Sequence, residues 1–191
     1  MKPTLRKTLA VLPLAAACAA FGSAAQAQNA INIGGEVKNI SCTASVVGGN
    51  TVNLPIAQPS DLPSPNSVAH HTPFTIALTG CGTGANGTVA RAMFYNTTAG
   101  AVSNGRLNPT FNPTTAGGWQ YAFRTVGNAG GNVDVPVRTS DTIVVQTGDS
   151  GVPIVNGAAN LRYAVRYRRN ATGPLTPGKG TASVNYVVYY L

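Results

Sequence analysis

The stretch from Gly178 to Leu191 constrains the fold most, because it reads as a strand at a chain terminus, where backbone usually frays. Ala182, Val184, Tyr186, Val188 and Tyr190 fall on one face, and Thr181, Ser183, Asn185, Val187 and Tyr189 on the other. Side chains alternate across a β-strand, so this period of two predicts a strand with one core face. Aromatic and β-branched residues in such a place call for a neighbour on each side.

The rest of the chain suits such a strand. With 22 Gly, 13 Pro, 43% hydrophobic and only 9% charged residues in 191, it reads as one all-β domain with many turns. The beginning is different: a basic start through Lys7, an apolar run from Leu9 to Phe21, then Ala25, Gln26 and Ala27. This predicts a secretory signal peptide over residues 1–27, cut between Ala27 and Gln28. Cys18 sits inside the apolar run after Ala15, Ala16 and Ala17, which raises a lipoprotein alternative. A lipobox has Leu where Ala15 stands, so ordinary cleavage is the expectation. No later stretch is long and apolar enough to span a membrane as a helix.

Export changes how the cysteines and charges read. Cys42 and Cys81 remain after cleavage, and an even pair in an exported chain predicts a disulfide. Closing that loop stabilises the fold by roughly 4 kcal/mol in the chain-entropy account. The two thiols and the adjacent His70 and His71 lack ligand spacing, so neither a metal nor another cofactor is expected. Losing Lys2, Arg6 and Lys7 lowers the formal net charge of +8 by three. The remaining excess reads as a solvated basic face, and export makes nucleic acid an unexpected partner.

A second alternation lies near the other end. Ile31, Ile33, Gly35 and Val37 alternate with Asn32, Gly34, Glu36 and Lys38, and a Gly on the apolar face marks a shallow or closely approached position. Thr51 to Pro55 reads as a short strand, and Ala57 to Thr72, which includes both histidines, as a loop, since Pro59, Pro63, Pro65 and Pro73 deny ladder bonds. Strands are predicted over Thr72 to Cys81 with Phe74, Ile76 and Leu78 inward, over Val89 to Tyr95, and over Trp119 to Thr125 with Trp119, Tyr121 and Phe123 on one face. Val133 to Arg138 and Asp141 to Gln146 read as a short pair. The sharpest alternation is Asn160 to Arg169, where Leu161, Tyr163, Val165 and Tyr167 face the core and Arg162, Arg166 and Arg168 face out. Outward arginines on an edge strand would block unwanted pairing; the other reading is a binding face.

Catalysis has little to work with. The acids are Glu36, Asp61, Asp134, Asp141 and Asp149, mostly in apparent turns, and no nucleophile elbow, phosphate loop or His-Glu-x-x-His pattern occurs. An enzyme is not expected.

Several motifs coincide with those of a known family. Gly178 stands fourteen residues from the end and Tyr190 is penultimate; Ile31 to Val37 carries an apolar-x-apolar-x-Gly-x-Val pattern shortly before the first cysteine; and Ala171-Thr-Gly-x-x-Thr-Pro-Gly178 precedes the final strand. Gly105-Arg-Leu-Asn108 and the segment leading to Cys81 add to the pattern. The chain resembles the pilin subunits assembled by the chaperone–usher pathway, from Ile31 to Leu191.

That resemblance implies an immunoglobulin-like sandwich lacking its final strand, with residues 28–41 as an N-terminal donor-strand extension and 42–191 as the pilin domain. Ile31, Ile33, Gly35 and Val37 would enter the groove of a neighbouring subunit. Gly178, Ala182, Val184, Tyr186, Val188 and Tyr190 would belong to the strand lining this subunit's own groove and meeting a periplasmic chaperone. The implied partners are that chaperone, an outer-membrane usher and other pilins in a head-to-tail polymer, a heterologous contact that builds a cell-surface fibre contributing to adhesion. The alternative is a secreted carbohydrate-binding sandwich with Trp119 and Tyr121 as a sugar platform. A two-domain adhesin would need a further lectin domain, for which the residues after the leader leave no room.

Overall fold

The alternating segments pair into two facing sheets in the computed structural model, which describes residues 40–128, 131–145, 149 and 151–191. No α-helix occurs among the described residues. The expected leader and residues 28–39 of the extension, with Ile31, Ile33, Gly35 and Val37, lie outside them.

The larger sheet runs β1 (Thr43–Val46), β2 (Val68–Thr79), β11 (Ala159–Arg169), β7 (Trp119–Thr125), β5 (Arg106–Leu107) and β4 (Val102–Ser103), with β8 (Asp134–Val135) also on β7. The second runs β10 (Val152–Pro153), β3 (Val89–Tyr95) and β13 (Asn185–Tyr190), with β9 (Val137–Arg138) parallel to β3. The chain passes from one sheet to the other at Pro136, between β8 and β9. A separate antiparallel pair joins β6 (Thr110–Asn112) to β12 (Lys179–Thr181).

Between the sheets the predicted inward residues meet. Ile76, Leu78, Leu161, Tyr163, Val165 and Phe123 of the larger sheet pack on Ala90, Ala92 and Phe94 of the other. Phe94 stacks on Phe123 at a ring distance of 4.8 Å and meets Tyr163 edge-on at 5.0 Å. Small alanines on β3 leave room for these rings, which is how two sheets interdigitate without voids.

Cys42 and Cys81 are joined, as expected, across a sequence separation of 39. The register pairs Thr43 with Thr79, so the bond clamps the end of the β1–β2 ladder.

Four local expectations need correction. First, β11 is no edge strand: it pairs with β2 on one side and β7 on the other, so its arginines guard no edge. Second, His70 and His71 lie within β2, not in a loop. They form a bulge between the Thr72–Val165 and Ala69–Tyr167 pairs, with Arg166 opposite, and His70 takes the left-handed φ of 53° that the bend requires. Third, Pro73 is paired with Ala164 inside β2. The Val47 amide bonds the Thr75 carbonyl, so odd-numbered residues here turn their backbone groups toward the β1 side, and β1 ends at Val46, opposite Ile76. Pro73 therefore forfeits no ladder bond. Fourth, Asp141 to Val145 forms no strand, and Ile143 and Val145 stay more than half exposed, at 51% and 56%.

Candidate functional site

The last stretch of chain finds one neighbour instead of two. It divides into β12 and β13, and among the described residues β13 pairs only with β3, leaving its other edge open. Val89 and Leu191 exchange both amide-to-carbonyl bonds, at 2.9 and 3.0 Å, so every second pair from there is bonded: Arg91 with Tyr189, Met93 with Val187 and Tyr95 with Asn185. The amides and carbonyls of Tyr186, Val188 and Tyr190 consequently point to the open edge. Their side chains, with that of Val184, pack against the core while staying half exposed. Tyr189 on the opposite face is more fully buried, at 4%. Ala182, expected on the same face, is exposed.

Facing this edge is a second one. After β1, Gly48 and Gly49 turn the chain with φ of 82° and 101°, angles that favour glycine. The segment that follows, Thr51 to Ala57, joins no sheet and makes no backbone pairing among the described residues. Val52 and Leu54 nonetheless turn toward the core, and Ile56 is 92% exposed. The short strand expected over Thr51 to Pro55 therefore does not form, because the segment finds no pairing partner among the described residues.

Between the two edges lies a groove of about 1130 Å³. Phe74, Phe94, Leu107, Phe123 and Val165 form its floor, with Val52, Leu54 and Ile56 on one wall and Val184 and Tyr186 on the other. An apolar floor between two backbone edges unpaired among the described residues is what an incoming β-strand requires.

Aromatic residues close one end. Trp119 meets Phe111, Tyr121 and Tyr167 at 5.0, 5.4 and 5.1 Å, and Gly180 lies against its ring. The Tyr121 hydroxyl donates to the Gly180 carbonyl at 2.8 Å, and burial, then the nearby Tyr167, pushes its pKa up to about 12. Trp119 is only 7% exposed, so its ring offers no platform to a sugar. Gly178 belongs to this end too: a side chain there would collide with Ala116.

Thus Val184 and Tyr186 line the groove together with Ala182, and Gly178 sits at its aromatic end, whereas Val188 and Tyr190 continue the same face of β13 against the core beyond the groove's lining. Sequence reasoning missed the opposing wall of Val52, Leu54 and Ile56. Their alternation was visible, but a missing partner leaves no local trace.

Comparison with known proteins places this geometry. A family model described as fimbrial protein matches residues 31–191. The F17 fimbrial protein of Escherichia coli is 28% identical over 169 residues, 84% of this chain and 86% of that protein. A chaperone–usher pilus, solved to explain rod uncoiling, matches with a TM-score of 0.54 and 17% identity over 87% of this chain and 97% of its own. The P pilus rod subunit PapA matches with 0.52 and 16% over 85% of this chain and 100% of its own. At those identities the two structures establish the shared fold, an immunoglobulin-like sandwich left incomplete.

Proposed function

Because the chain belongs to the fimbrial protein family, whose members are structural pilus subunits and not enzymes, we propose that it polymerises by accepting a β-strand in its groove and donating one in turn. A periplasmic chaperone occupies the groove first, pairing with β13. At the outer-membrane usher, the extension 28–41 of the next subunit replaces it, with Ile31, Ile33, Gly35 and Val37 facing the floor. The signal peptide over 1–27 delivers the chain to the periplasm.

One observation carries this reading: a groove with an apolar floor lies between β13 and the Thr51–Ala57 segment, whose facing edges have no strand partner among the described residues. Each isoleucine or valine seated on that floor contributes about 1.5–3 kcal/mol of apolar burial, and the ladder on both sides adds register. Donor and acceptor surfaces differ, so the contact does not close on itself and a fibre results.

Gel filtration of protein purified from the periplasm tests it, with and without a co-expressed cognate chaperone. A one-to-one complex with chaperone, and polymer or loss without it, is the expected outcome. A stable monomer that ignores the chaperone would contradict the proposal.

A further inference from the structure

The outer face of the larger sheet, away from the groove, concentrates positive charge around one carboxylate. Register places Arg166 opposite Ala122, Arg168 opposite Gln120, and Arg124 opposite both Ala164 and Asp134. The alanines leave low ground over which long arginine stems can lie. Arg166 donates from Nη2 to Asp134 Oδ1, Arg168 Nη1 lies 3.9 Å from Asp134 Oδ2, and Arg106 on β5 is close enough to feel Arg168, Asp134 and Arg166. The bulge residue His71 faces Arg166, Arg124 and Asp134 from β2.

This cluster is under-neutralised and partly desolvated. The Arg166 side chain is 8% exposed, and its Nε, like those of Arg124 and Arg168, is buried without an acceptor. Burial, reinforced by neighbouring arginines, lowers the pKa of both Arg166 and Arg106. A guanidinium nevertheless stays charged, so the cluster sets four cations, Arg106, Arg124, Arg166 and Arg168, against the Asp134 carboxylate.

Another copy of the chain is a poor source of the missing anions, with only Glu36 and Asp141 besides Asp61, Asp134 and Asp149. Its Asp and Glu number only 5. Asp61 accepts from the Gln58 amide and contacts His70, Asp149 is 3% exposed beside Tyr163 and Gly151, and Asp134 already lies in the cluster. Nor does the face suit nucleic acid, since the arginines lie over Ala122, Ala164 and Gln120, which offer neither stacking rings nor an element to enter a groove. An extended chain of acidic sugars needs only spaced forks for sulfate or carboxylate oxygens.

We propose that the face formed by Arg106, Arg124, Arg166 and Arg168 binds an acidic polysaccharide. On the fibre described above it recurs once per subunit, so that weak individual sites act together. The site itself lies apart from the groove and does not depend on that reading.

The protein, in whichever assembled form it is isolated, should be titrated with heparin, polygalacturonate, neutral dextran and duplex DNA at equal ionic strength. Arg106→Gln/Arg168→Gln is compared with a charge-matched Arg91→Gln/Arg138→Gln control on the other sheet. Heparin or polygalacturonate should bind above dextran and DNA, and which of the two binds tells whether sulfate or carboxylate is preferred. The first variant should weaken binding about tenfold and reduce the slope of log affinity against log salt by roughly two, while the control binds like wild type. If the double variant fails to fold, each single substitution should show about a threefold loss. Equal binding of dextran, tighter binding of DNA, or equal losses in both variants would overturn the proposal.

Discussion

The Tyr163 hydroxyl on β11 accepts a hydrogen bond from the Ala92 amide on β3 at 3.0 Å, tying one sheet to the other through the core. Ladder parity explains the need: Ala92 turns its amide away from β13, toward the gap between β10 and β9, where no strand can receive it. Tyr163→Phe should leave that buried donor unsatisfied and cost about 1–3 kcal/mol, read as a lower urea midpoint at unchanged slope.

The same tyrosine makes stability depend on alkaline pH. Burial, with Asp149 next in size, raises the Tyr163 pKa, so the folded state holds this proton more tightly than the unfolded chain, whose tyrosines titrate near ~10. The resulting stabilisation is complete below pH ~10 and is lost as pH rises toward the folded pKa. Tyr121, pushed up to about 12, acts in the same direction. Unfolding midpoints measured above pH ~10 should fall in wild type and fall less steeply in Tyr163→Phe.

The disulfide should matter as loop closure predicts. Cys42→Ala/Cys81→Ala removes the clamp at the β1–β2 end and should cost roughly 4 kcal/mol, less any strain relieved. Mass spectrometry of periplasmic wild-type protein should find no free thiol at either position.

Strands bounded by their own alternation were legible in the sequence. Val89 to Tyr95 and Trp119 to Thr125 match β3 and β7, and Asn160 to Arg169 differs from β11 by one residue. Pairing was not legible, because a strand's neighbours are set far away in the chain. That is why β11 reads as an edge in the sequence, why Thr51 to Pro55 reads as an ordinary strand, and why Asp141 to Val145, β-prone by composition, reads as paired although it joins no strand among the described residues. The groove followed from resemblance and half from alternation: the β13 wall was readable, the Val52 wall was not.

Glycine at 180 is fixed by packing. A Cβ there would press on the Trp119 ring and come 2.9 Å from Pro109 Cβ, whereas a Cβ at Gly82 meets open space. Gly180→Ala should destabilise by about 1–3 kcal/mol and alter the near-ultraviolet signal of Trp119, with Gly82→Ala close to neutral.

The donor arm tests the central claim most directly. On a strand of period two, Gly35 shares the face of Ile31, Ile33 and Val37, while Gly34 faces away. Strand exchange should be timed by mixing chaperone-bound acceptor subunit with synthetic peptides spanning residues 28–41, wild type, Gly35→Leu and Gly34→Leu. Overpacking a shallow position should slow the Gly35→Leu peptide by at least about tenfold, with Gly34→Leu close to wild type. Equal rates for the two variants, or a slower Gly34→Leu, would contradict insertion of this arm in this phase.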